Sequence, residues 1–144
     1  MSNSDKFQKS LPASAIPTFE RLLASAEADD STDAETLRIG VDRYVESVAE
    51  AAQTRSHLDP KFVAKIGKSC HALLDMFETA EEPHQSRLIA AVQYFLLPRD
   101  GDDDLAYEDG FDDDAQVINA VAAAMGRHDL HIPIPQRGNN LNLN

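Results

Sequence analysis

The chain has 144 residues, with 25 Asp or Glu against 13 Lys or Arg, so its formal net charge at pH 7 is −12. This length suits one ordinary domain, and the acidic charge disfavours nucleic-acid binding through the phosphates. The apolar stretches fall far below the roughly 20 residues of a membrane span, and the N-terminus lacks the apolar run of a signal peptide. We therefore predict a cytoplasmic protein without a membrane span, in which the single cysteine, Cys70, is a buried free thiol.

Apolar residues recur at helical spacing along most of the chain, and no period-two pattern competes with them. Residues 1–10 are mostly polar and are predicted to form a flexible N-terminus. A first short helix follows from Leu11, with Pro17 in its first turn. The second helix starts at Thr32, whose spacing to Glu35 is typical of a capping box.

The third and fourth predicted helices are bounded by proline residues. Asp59 is the predicted N-cap of the third helix and Pro60 its first residue. The pattern breaks before about Gln85, where the fourth helix begins, and Pro98 cannot continue that helix.

The fifth predicted helix starts near Asp112 and stops at Gly126. The remaining C-terminal residues contain two prolines and several asparagines. The sequence therefore predicts an all-α fold, a single-domain bundle of about five helices over residues 11–130, followed by an extended or disordered tail at 131–144.

Nine acidic side chains lie within the sixteen residues from Arg99 to Asp114, which we call the acidic segment. Two unit negative charges about 6 Å apart repel by roughly 0.7 kcal/mol even in water. Solvation, the dipole of the fifth helix, basic side chains or a bound cation can each offset this repulsion. The acidic segment is predicted to be a loop between the fourth and fifth helices.

A divalent cation is one interpretation of the acidic segment, because calcium and magnesium prefer oxygen ligands. The spacing does not fit the EF-hand loop, since Leu105 stands where that loop needs Gly. The candidate ligands for calcium or magnesium are Asp100, Asp104, Asp113 and Asp114.

The same region has the residue spacing of a known motif. In that motif one helix ends in Tyr and Pro, and the next helix follows Gly and an aromatic residue and opens with two Asp. The matching residues are Tyr94, Pro98, Asp100, Asp104, Gly110, Phe111, Asp113 and Asp114. On these residues the chain, over about residues 85–127, resembles the YkvA-like bacterial domain of unknown function. The resemblance implies a helical hairpin whose Asp residues cap and cross-link its corner, and it implies no established reaction.

Further acidic residues stand where that family has an apolar connection. They are Asp102, Asp103, Glu108 and Asp109. Concentrated charge of one sign steers association and selects partners of the opposite sign. We therefore predict that these four residues bind a basic partner protein.

Catalysis would need a nucleophile with a base, carboxylates in separated environments, or a metal with an open position. His71 adjoins Cys70, but neighbouring helical residues point about 100° apart and form no dyad by themselves. A zinc site is an alternative, with His128, Asp129 and His131 as its ligands. It rests on only two histidines, which lie near the tail.

The sequence thus predicts a non-enzymatic interaction module, a monomer or homodimer, with no catalytic residues and no cofactor. The alternative is a divalent-cation-binding protein, including a metal-assisted hydrolase.

Overall fold

The computed structural model describes residues 7–28, 32–56, 58–97 and 111–135. Its helices are α1 (Ile16–Ala28), α2 (Ala34–Ala51), α3 (Pro60–Asp75), α4 (Glu82–Leu96) and α5 (Asp112–Ala124), with short 3-10 helices at Ala13–Ala15 and His128–Leu130. Residues 7–9 are also α-helical, and no strand occurs in these ranges. The all-α prediction is confirmed, while the predicted number of about five helices is slightly low because the described residues contain six α-helical segments.

The N-terminal cap of α3 is the one predicted. The Asp59 carboxylate accepts a hydrogen bond from the backbone N–H of Phe62 at 3.2 Å, and Pro60 occupies the first turn. The cap of α2 differs, because Asp33 and not Thr32 accepts the N–H of Glu35 at 3.2 Å. Both residue types cap helices, and the charged carboxylate also complements the positive end of the helix dipole.

Helix α4 begins at Glu82, earlier than the predicted start near Gln85, and Pro83 lies in its first turn. Proline is tolerated there because the first N–H groups of a helix have no partner within it. Residues 82–84, which interrupt the apolar pattern, therefore form the first turn of α4, and the gap between α3 and α4 ends at residue 81.

Gly126 ends α5, as predicted, with a φ of 76° that favours glycine. The N–H of Arg127 donates to the carbonyl of Ala122 at 2.8 Å, and the N–H of Gly126 donates to that of Ala123 at 3.0 Å. This pair of hydrogen bonds is a Schellman motif, which satisfies carbonyls left open at the helix end.

Helix α4 lies at the centre of the bundle and contacts each of the other four α-helices. It is buried on several sides, as expected for a helix whose apolar residues do not form one narrow stripe. Its buried residues are Ser86, Leu88, Ile89, Ala90, Ala91, Val92, Tyr94 and Phe95. The helices share one hydrophobic core.

Helices α2 and α3 pass each other closely at Gly67. A Cβ atom at this position would lie 2.7 Å from Cγ2 of Val45, closer than van der Waals contact allows. On the surface the same two helices are joined by His71 and Asp42, 2.7 Å apart, and by an ion pair between Arg38 and Asp75. Exposed pairs of this kind add little stability, so the close packing holds the two helices together.

The residues that precede α1 join the core. Phe7, which is 8% exposed, packs against Phe19 with ring centroids 5.6 Å apart, and the guanidinium of Arg87 lies 4.6 Å from the Phe7 ring centre. The predicted flexible N-terminus therefore contains a core residue, while its residues 1–6 lie outside the described ranges.

Residues 128–135, which we call the C-terminal segment, return over α3 and α5. The side chain of Asn119 accepts from the backbone N–H of Ile132 at 2.7 Å and donates to its carbonyl at 3.0 Å. The hydroxyl of Ser69 donates to the carbonyl of Leu130 at 3.0 Å. Ile132 is thereby held in the core with 2% of its surface exposed, and the rest of the predicted tail, 136–144, lies outside the described ranges.

No helix within the described ranges is both long and apolar enough to cross a bilayer.

Candidate functional site

The described residues on the two sides of 98–110 meet at one aromatic cluster. The ring of Tyr44, from α2, lies 5.1 Å from that of Phe95 near the end of α4 and 6.2 Å from that of Phe111 just before α5. Both contacts are edge-on, the arrangement that aromatic quadrupoles favour. Phe95 and Phe111 are buried, so residues 98–110 connect two points that are held in the core.

Most of the predicted site residues lie outside the described ranges. These are Asp100, Asp102, Asp103, Asp104, Glu108 and Asp109. Asp113 and Asp114 are described, and α5 begins at Asp112, as predicted. Three consecutive carboxylates thus occupy the first turn of α5, where the helix dipole favours negative charge.

Asp113 and Asp114 have different neighbours. The Asp113 carboxylate accepts a hydrogen bond from the Ser14 hydroxyl at 2.8 Å, which ties the 3-10 helix Ala13–Ala15 to the start of α5. Asp114 is fully buried, near Cys70 of α3. Successive helical residues point about 100° apart, so these two carboxylates serve separate contacts.

The predicted cation ligands are only half described. Within the described ranges no group of three or more His, Cys, Asp or Glu side chains is arranged to hold a metal ion. The same finding applies to the predicted zinc site, because His128, Asp129 and His131 are all described. Asp129 is instead bound by Arg127 through two hydrogen bonds of 2.9 and 2.8 Å. The Arg127 guanidinium lowers the pKa of Asp129. The four-Asp set stays a prediction, since Asp100 and Asp104 lie outside the described ranges.

Cys70 is a fully buried free thiol, as predicted. Burial raises its pKa, because the thiolate would lose its hydration, and the nearby charge of Asp114 raises it further. His71 points its Nε2 to Asp42 and not to the thiol. The Cys70 environment is therefore that of an inert core thiol.

We expect the free energy of unfolding to fall above pH 9.0, the ordinary pKa of the thiol, by about 1.4 kcal/mol per pH unit. The raised pKa keeps the thiol protonated in the folded chain while the unfolded chain releases its proton, so alkaline pH favours unfolding. Urea unfolding of the wild type and of Cys70→Ala between about pH 8 and about pH 10 measures the effect. The variant should lack this added slope, and parallel curves for the two proteins would contradict the assignment.

A groove of about 250 Å³ lies between α3 and the C-terminal segment. Lys65 and Lys68 stand on its α3 side, and Ala72, Leu130 and Pro133 provide apolar surface. Sequence reasoning missed this groove, because it depends on a contact between parts of the chain that are about sixty residues apart. The available signal was the run Lys61, Lys65 and Lys68 at helical spacing, with no acidic residue between Pro60 and Leu74.

No family model matches the chain, and no curated protein and no solved structure shows significant similarity to it. The resemblance to the YkvA-like domain rests on the motif residues alone and stays a prediction.

Proposed function

We propose that this protein is a non-enzymatic interaction module that binds a basic partner protein through the acidic segment. The observation that carries the proposal is the density of charge, nine carboxylates in sixteen residues, of which six lie between α4 and α5 and three in the first turn of α5. A concentrated negative charge speeds association with a positively charged surface and disfavours association with a negatively charged one.

The acidic residues divide into two groups under this proposal. Asp113 is hydrogen-bonded to Ser14, and Asp114 is buried beside Cys70, which supports a structural role for both. The residues at 102, 103, 108 and 109 are assigned to the partner. The YkvA-like resemblance supports the same division, since its motif contains Asp113 and Asp114 but not the four others. The proposed setting is the cytoplasm of a bacterium.

The test neutralises the four assigned charges with Asp102→Asn, Asp103→Asn, Glu108→Gln and Asp109→Asn. The probe is a ten-residue oligolysine peptide, measured by calorimetry at low and high salt. Wild-type affinity should fall steeply as salt increases, because screening weakens attraction between exposed charges. The fourfold variant should bind at least about tenfold more weakly, a loss of about 1.4 kcal/mol.

A matched control removes four exposed charges elsewhere, with Glu27→Gln, Glu46→Gln, Glu50→Gln and Glu78→Gln. This variant has the same net charge as the first and should retain most of the binding. An equal loss in both variants would show that net charge alone, and not the acidic segment, attracts the peptide.

The alternative function is divalent-cation binding by Asp100, Asp104, Asp113 and Asp114, with metal-assisted hydrolysis as its extension. A bound cation would neutralise carboxylates that otherwise repel one another. Calcium or magnesium at about millimolar concentration should then raise the melting temperature and release or absorb heat on titration. The absence of both effects would remove this alternative.

A further inference from the structure

Helix α3 carries three exposed lysines on one side, Lys61, Lys65 and Lys68, which we call the basic face. Their spacing of four and three residues places them in one row on the helix surface. No ion pair joins any of the three to another residue in the described ranges. In a chain with a net charge of −12, the basic face is a local patch of positive charge without an ion pair to another described residue.

The basic face borders the groove between α3 and the C-terminal segment. Asp129 lines the same groove, but Arg127 pairs with it through two hydrogen bonds and offsets its charge. The far wall is held in place by Asn119 and Ser69, which bind the backbone of the C-terminal segment. The groove is thus preformed, with a positive rim and an apolar surface, and preformed sites lose little free energy to ordering on binding.

The ligand that fits such a groove is a peptide with acidic residues on both sides of a short apolar stretch. The acidic segment has this composition, since residues 102–104 are Asp, residues 105–107 are Leu, Ala and Tyr, and residues 108–109 are Glu and Asp. An extended chain from Asp104 to Glu108, the acidic residues that flank the apolar stretch, spans about 13 Å. The basic face from Lys61 to Lys68 spans about 10 Å along α3, so the two lengths are comparable.

We propose that the basic partner is a second copy of this chain, whose acidic segment docks along the basic face and into the groove beside it. This inference rests on the proposed function and names its partner. Each copy carries one groove and one acidic segment, so two copies can make the contact twice around a two-fold axis. The second contact then forms at high effective concentration, which favours a closed dimer over longer assemblies.

Sedimentation velocity of the full chain at low and high salt tests this directly. The wild type should be dimeric at about 0.15 M salt, where the net repulsion between two chains of charge −12 is screened, and should dissociate at about 1 M salt, where the contacts themselves are screened. Two charge-reversal variants, Lys65→Glu with Lys68→Glu and Asp102→Lys with Asp103→Lys, should each weaken dimerisation by at least about tenfold. An equimolar mixture of the two variants should associate, because each supplies the charge that the other has reversed.

The matched control reverses two exposed basic residues away from the groove, Lys9→Glu and Arg21→Glu, and should dimerise as the wild type does. A synthetic peptide of residues 101–110 should dissociate the wild-type dimer more effectively than an oligoglutamate of equal charge. Equal effects of the two peptides would overturn the assignment of the acidic segment as occupant.

A wild type that remains monomeric at every salt concentration overturns the inference, and so does crosslinking of Lys65 to the acidic segment within one chain. These outcomes are distinguishable from failure of the proposed function. A monomer that binds oligolysine, and loses that binding in the fourfold neutralised variant, keeps the proposed function and removes only the second copy as partner.

Discussion

Replacing Phe111 by Ala is expected to lower the free energy of unfolding by about 3 to 5 kcal/mol. The ring is 3% exposed and packs against Tyr44, so its removal leaves a cavity between α2 and the start of α5. Chemical denaturation monitored by circular dichroism measures the loss. Phe111→Leu should restore part of it, because a smaller apolar side chain still fills some of the volume.

Phe77 provides the comparison for Phe111, since it is an aromatic residue that is only partly buried against the same core. Phe77→Ala should cost less than Phe111→Ala, because part of its ring is already in contact with water. A loss below about 1 kcal/mol for Phe111→Ala would contradict the aromatic cluster. Such a result would also remove the anchor that we assign to one end of the acidic segment.

Replacing Asn119 by Ala is expected to destabilise the protein by about 2 to 4 kcal/mol. The variant loses two hydrogen bonds to the backbone of Ile132 and leaves the N–H and carbonyl of that residue without their partners in a buried place. Urea unfolding gives the stability change. Amide hydrogen exchange should show that protection at Ile132 falls more than protection in α4.

Gln116 is the control for Asn119, because it lies on the same helix and is partly exposed. Gln116→Ala should change stability by no more than about 0.5 kcal/mol. If the Ile132 amide of Asn119→Ala stayed as protected as in the wild type, the side chain of Asn119 would not be what holds the C-terminal segment.

The helices could be predicted because each depends on local patterns. Apolar spacing located α2, α3 and α5, and Asp59 and Gly126 marked two of the boundaries correctly. Thr32 and Asp33 are adjacent residues that both cap helices, so pattern alone did not separate them. The apolar pattern does not extend to Pro83, although proline is favoured in the first turn of a helix.

The contacts around the candidate site could be predicted only in part, because they join distant residues. The acidic segment is evident from composition, yet nothing local indicates that Tyr44 meets both Phe95 and Phe111. The capture of Ile132 by Asn119 is likewise a tertiary contact, and an Asn on a helix usually faces water. The apolar residues at 130, 132 and 134 were the signal that the C-terminal segment has a buried side.

The central place of α4 has a consequence for how sequences related to this one should vary. Because four helices surround α4, Ala90 and Ala91 set the distances at which its neighbours pass, and larger side chains there would push those neighbours apart. The outer faces of α1, α2 and α3 carry no such restriction. Evolutionary drift should therefore be slowest in α4, and new binding preferences should arise through changes in the helices around it.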